Sequence, residues 1–164
     1  MNKLAKPLYR YQAFTDGSCP PLSPYGEGGS AYILFDDGVE IKRVSKGFIG
    51  TTNNRMEQLA IISAVNSIPV GEGIDIYTDS RIAIHSFTKK TKHNTKNQDL
   101  ILRYQKVAEG KKVCFHWVKG HSGITYNEEC DMMAVAEMRK IQQENHIPTF
   151  NRFNSPKVRK KQLL

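Results

Sequence analysis

The chain has 164 residues, 39 % of them hydrophobic and 24 % charged, with a formal net charge of +8 at pH 7. That length suits one domain with a real core and is short for two. No run approaches the roughly 20 apolar residues of a membrane span, and Met1 to Tyr11 lacks the apolar stretch and cleavage pattern of a secretory leader. A cytoplasmic protein without membrane contact is expected. Cys19, Cys114 and Cys130 show no C-x-x-C spacing, so the sequence implies neither a zinc site nor a disulfide framework.

Tyr9 to Thr15 alternates and runs into Asp16-Gly17-Ser18, a strand entering a turn. A Pro- and Gly-rich loop follows over Cys19 to Gly29. Ser30 to Phe35 and Glu40 to Ile49 read as strands joined by a hairpin at Asp36-Asp37-Gly38. From Asn53 to Ile68 the pattern turns helical, with Ile61, Ala64, Val65 and Ile68 as its stripe and Pro69 and Gly71 as its stop. Gly73 to Thr78 is a short buried strand, and Asp79-Ser80 caps a helix through Phe87. Lys89, Lys90, Lys92 and Lys96 form a basic loop. Asn97 to Glu109 is helical, Lys112 to Val118 a strand, and Thr125 to about Gln143 the last helix. The order predicts a mixed sheet with helices packed on it, an α/β domain over 1–145.

The charge is uneven. Five basic residues (Arg152, Lys157, Arg159, Lys160, Lys161) and no acid lie in the last 14 positions, leaving 19 basic against 16 acidic, or +3, for the rest. Residues 146–164 are expected to be a flexible basic tail that does not pack into the core and holds a polyanion electrostatically.

Four acids occupy positions a purely structural role would not choose. Asp16 and Asp79 each end a predicted strand, and in an open α/β sheet that edge binds ligands. Glu57 shares a helix face with Ile61, Ala64 and Ile68, so it points toward the core. Asp131 does the same on the last helix, in line with Val135 and Met138. Singly, each has a bland reading: a turn aspartate, a cap, a first-turn acid, a lysine's partner. Together they would be costly to bury unless a divalent cation sits among them. Oxygen-only donors suit Mg²⁺ or Mn²⁺ rather than zinc.

Four separated segments carry a family resemblance: FTDGSC (Phe14 to Cys19), TTNNRMEQLA (Thr51 to Ala60), IYTDS (Ile76 to Ser80) and WVKGHSGITYNEECD (Trp117 to Asp131). In this order, on these elements and over roughly residues 10 to 140, the chain resembles the type 1 ribonuclease H family. The resemblance implies a five-stranded mixed sheet with strands 1–3 antiparallel. It also implies an endonuclease cutting the RNA strand of RNA–DNA hybrids to 5′-phosphate and 3′-hydroxyl ends. A monomer is expected. Asp16, Glu57, Asp79 and Asp131 become the metal-binding catalytic carboxylates. Two ions about 4 Å apart activate a water and stabilise the leaving 3′-oxygen. His121, in the glycine-flanked loop Lys119 to Gly123, takes the role of proton transfer or product release. Asn53 and Asn54 are placed on minor-groove 2′-hydroxyls, which amides can both donate to and accept from. Thr52 and Asn97 are placed on a DNA-strand phosphate. A capping role for Asn53 is compatible with this.

The chain departs from the family in three places. Pro20 to Tyr25 replaces the Asn-Pro-Gly-containing loop of bacterial members, Gly50 stands where an arginine is frequent, and the tryptophan-rich basic protrusion is absent. Trp117 is the sole tryptophan. Two alternatives stay open: a catalytically inactive hybrid-binding module, and a recombinase or transposase of the same fold superclass. The full carboxylate set with His121 argues against the first. TTNNRME and the WVKGH loop argue against the second.

Overall fold

The computed structural model describes residues 4–89 and 96–158. Five strands and four helices follow in chain order: β1 (Tyr11–Ser18), β2 (Gly28–Asp36), β3 (Val39–Phe48), α1 (Asn53–Asn66), β4 (Gly73–Thr78), α2 (Arg81–Thr88), α3 (Gln98–Ala108), β5 (Lys112–Trp117) and α4 (Thr125–Glu144). The sheet order is β3-β2-β1-β4-β5. The first three strands pair antiparallel, and β4 joins β1 and β5 parallel. This is the expected five-stranded mixed α/β sheet.

Alternation along the inner strands sorts the core into two layers. Ala13, Tyr32, Leu34, Ile74 and Ile76 face Ile61, Val65 and Ile68 of α1 and Leu100 and Tyr104 of α3. Phe14, Ile33, Phe35 and Tyr77 face the other way, toward Cys130 of α4. β2 is buried on both faces up to Asp36 because helices cover both sides. β3 is the edge, and Glu40, Lys42, Arg43 and Lys46 keep it polar. The β2–β3 hairpin turns at Asp37 and Gly38, both at positive φ, the geometry of a two-residue hairpin loop.

The central pair fixes the site. Phe14 is level with Tyr77 in the parallel β1–β4 register, so Asp16 and Asp79, two residues further on each strand, emerge side by side. They lie at the carboxyl edge where the sheet changes direction, the usual ligand position.

The segment after α4 departs from expectation. It turns back onto the Pro-rich loop: Ser155 is fully buried, and its Oγ donates to the Leu22 carbonyl at 2.6 Å. The Phe150 and Tyr25 rings lie 5.9 Å apart. Gln142 donates to the buried Glu27, which also accepts from Ser23 at 2.5 Å. The chain is therefore anchored at Phe150 and Ser155 by contacts more than 120 positions apart in sequence, while most of 146–158 stays exposed. Arg159, Lys160 and Lys161 lie outside the described residues, as do Lys90 and Lys92 of the basic loop.

Candidate active site

Asp16 is the sixth residue of β1, held by its strand neighbours and accepting from the Gly17 amide at 2.8 Å. Gly17 admits α1: a Cβ there would lie 2.4 Å from the Glu57 nitrogen and 2.5 Å from the Met56 carbonyl carbon. A side chain at this point would push the first turn of α1 off the strand. Its absence lets Glu57 reach Asp16. Thr52 caps that turn, accepting from the Arg55 amide at 3.2 Å, so the capping residue is Thr52 and Asn53 is the first helical residue.

Asp79 follows β4 directly, and Ser80 caps α2 by accepting from the Ala83 amide at 3.1 Å. The backbone carbonyl of Asp79 receives the Trp117 indole N–H at 3.1 Å, tying it to the end of β5. Oxygens of Asp16, Glu57 and Asp79 all lie within 4.8 Å of one another, so the structure brings three of the four expected carboxylates into one cluster. Asp131, half-buried on α4, stands just outside that trio, and its charge acts on all three.

The electrostatics show what the cluster lacks. Burial first, then the negative charge of Asp79, pushes the Asp16 carboxyl up to about 7, with hydrogen bonds from Glu57 and Gly17 opposing the shift. Burial and then the Asp16 charge raise Glu57 well above the ordinary range. Asp79 is raised by burial and by Asp131. Glu57 Oε2 is buried with no hydrogen-bond partner. Such an oxygen is costly unless something binds it. Oxygen donors at mutual reach with one lone oxygen unmet fit a divalent cation of the Mg²⁺ class, and no Cys or His belongs to the trio.

His121 is exposed at positive φ in the loop between β5 and α4, near enough for its charge to act on Asp79. The loop passes close to the cluster at Gly120, where a Cβ would lie 2.7 Å from Asp79 Oδ2. Ser122 closes the loop by donating to the Lys119 carbonyl at 2.5 Å, and the Gly123 amide donates to Glu128 at 3.1 Å.

Thr52, Asn53 and Asn54 are exposed at the start of α1. Asn97 joins this corner through a residue the sequence did not single out. Arg55 donates to Asn97 Oδ1 at 3.2 Å and makes a two-pronged pair with Asp99 at 2.9 and 2.7 Å. Asn97 itself sits in the left-handed region ahead of α3, with its side chain not used for capping. An arginine in the middle of TTNNRME was the available signal, but its partners lie more than 40 residues downstream.

The RNase H family model matches residues 9–139. Ribonuclease H of Nitratidesulfovibrio vulgaris (strain Miyazaki F) is 43% identical over 136 residues, covering 75% of this chain and 85% of that protein. Ribonuclease H of Ehrlichia ruminantium is 38% identical over 145 residues, 81% of this chain and 97% of that one. The N-terminal RNase H domain of a Mycobacterium tuberculosis protein, solved as a fusion with maltose-binding protein, matches with a TM-score of 0.69. That match covers 84% of this chain and 99% of that one at 16% identity, a likeness of fold. The chain belongs to the ribonuclease H family.

Proposed function

We propose that this protein is an endonuclease that hydrolyses the RNA strand of RNA–DNA hybrids, leaving 5′-phosphate and 3′-hydroxyl ends. The observation that carries the reading is the convergence of Asp16, Glu57 and Asp79 within 4.8 Å at the carboxyl edge of the parallel strands. The family membership adds the reaction class. Asp16, Glu57, Asp79 and Asp131 would hold two Mg²⁺ ions, with Mn²⁺ as a substitute. Bound there, the ions supply a nucleophilic water at neutral pH and charge stabilisation at the leaving oxygen.

The chain's own residues do the rest. Burial and neighbouring carboxylates hold Asp16 and Glu57 above the ordinary range, and both must ionise to bind a cation, so the site loads more readily as pH rises. His121, carried on its loop beside Asp79, delivers a proton to the departing 3′-oxygen or helps the product leave. Asn53 and Asn54 read 2′-hydroxyls across the minor groove. Thr52 and Asn97, braced by Arg55, take a phosphate of the DNA strand. Three free cysteines support a reducing, cytoplasmic setting.

Parallel incubation of a hybrid, a double-stranded RNA and a double-stranded DNA with Mg²⁺ tests the proposal. Cleavage confined to the RNA of the hybrid, with phosphate on the 5′ end of each product, is expected. Tight hybrid binding without cleavage would favour the inactive binding module instead.

A further inference from the structure

The α4 side of the sheet is covered unevenly. α4 lies over β1, β2 and β3, whereas β4 meets the N-terminal segment there. The Tyr77 hydroxyl donates to the Ala5 carbonyl at 2.7 Å. Two residues from each of β4 and β5 share that face, Asp75 beside Cys114 and Tyr77 beside His116. Asp75 is completely buried. Its carboxylate accepts from the Leu8 amide at 3.0 and 2.9 Å and the Tyr9 amide at 2.7 Å, and it lies 2.6 Å from His116 Nε2. The His116 ring is held by stacking on Tyr77, with centroids 4.7 Å apart. A carboxylate oxygen, the Cys114 sulfur and a His116 nitrogen all lie within 4.8 Å of one another.

A hydrogen-bonded Asp–His pair alone accounts for Asp75 and His116 but leaves Cys114 facing a buried negative charge. Burial, and then that charge, raise the Cys114 thiol above its ordinary range. Among the described residues no lysine or arginine forms an ion pair with Asp75, and the His116 ring is the side chain that meets its carboxylate. The thiol stays protonated beside that charge, and a cation entering among the three groups would take it up as a thiolate.

We propose that Asp75, Cys114 and His116 form a transition-metal site of the Zn²⁺ class, separate from the carboxylate cluster. Sulfur, nitrogen and oxygen donors together select zinc over Mg²⁺ or Ca²⁺. Ligands at about 2.0–2.3 Å from one ion stand about 3–4 Å apart, so His116 Nε2 and Asp75 Oδ1, 2.6 Å apart as a hydrogen-bonded pair, would give up that bond and part as the ion enters. The two backbone amides supply the outer hydrogen bonds that orient a ligating carboxylate. The fourth position is left to solvent, and binding releases the thiol proton. Asp75 precedes Asp79 by four residues on an extended strand, which places the sites roughly 13 Å apart. A bound ion would clip Leu8 and Tyr9 to β4 and β5 just before β5 delivers the His121 loop.

Cobalt titration of the full-length, chelator-treated protein tests this, because only thiolate coordination gives the near-ultraviolet sulfur-to-cobalt band. One equivalent of Co²⁺ should saturate the band in the wild type and equally in Asp79→Asn, and Zn²⁺ should abolish it. Cys114→Ser should remove the band, and His116→Gln should weaken cobalt affinity at least about tenfold, each loss being in line with removal of one ligand. No band in the wild type overturns the site. So does a band that survives in Cys114→Ser, because it would belong to Cys19 or Cys130.

Discussion

Replacing Asp16 by Asn should stabilise the metal-free protein while removing its activity. Asp16 is 4% exposed, and burial with the Asp79 charge pushes its carboxyl from 3.8 up to about 7. The folded chain thus holds this proton more tightly than the unfolded chain does. The associated stability is full below about pH 4 and is lost as pH rises through about 7. Carrying the ionised group without metal then costs roughly 4 kcal/mol at pH 8. Asn keeps the volume, can still accept the Gly17 N–H, and removes the charge. Recovery of part of that cost, about 1–3 kcal/mol, would raise Tm by roughly 2–4 °C per kcal/mol for a chain of this size. The assay is thermal denaturation in chelator at pH 5 and pH 8. Asp16→Asn should melt higher than the wild type at pH 8, and by a clearly smaller margin at pH 5. Added Mg²⁺ should stabilise the wild type and leave the variant nearly unchanged. A variant that melts lower than the wild type at pH 8 in chelator would refute the reasoning.

His121→Ala should lower kcat by roughly 10²-fold to 10⁴-fold while calorimetry shows unchanged Mg²⁺ affinity; collapse of metal binding would make His121 part of the metal cluster. Arg55→Ala frees Asn97 and Asp99 from α1, so hybrid affinity should fall several-fold with kcat little changed, and an unchanged KM would remove Arg55 and Asn97 from substrate binding. Truncation after Asn145 deletes the Ser155–Leu22 bond and the Phe150–Tyr25 contact. Loss of a buried hydrogen bond and an aromatic contact should cost about 1–3 kcal/mol, read as a lower Tm; an identical Tm would mean the docked segment contributes nothing.

Local patterns made the frame of the fold legible in the sequence. The Ile61–Ile68 stripe and the fully buried β4 have one sensible burial each, and together they orient Glu57 and align Asp16 with Asp79. Features built from distant pairs were not legible. The docking of Ser155 under Leu22 joins a polar, basic segment to a Pro-rich loop, and neither composition announces a partner. Asn97 reaches the α1 corner only through Arg55. Asp75, Cys114 and His116 come together from two strands that are neighbours only after folding, so no Cys spacing could signal them. Gly17 looked like half of a turn; its use is the room it leaves for α1 to bring Glu57 against the strand.

In the proposed function the carboxylate cluster cuts the RNA of a hybrid with a divalent metal. The most direct measurement is one end-labelled RNA–DNA hybrid incubated with wild type and Asp79→Asn, each in Mg²⁺ and in chelator. Wild type in Mg²⁺ should cleave the RNA strand, the DNA strand should stay intact throughout, and the other three reactions should show no cleavage. Cleavage in chelator, or by Asp79→Asn at a rate near the wild type, would contradict that function.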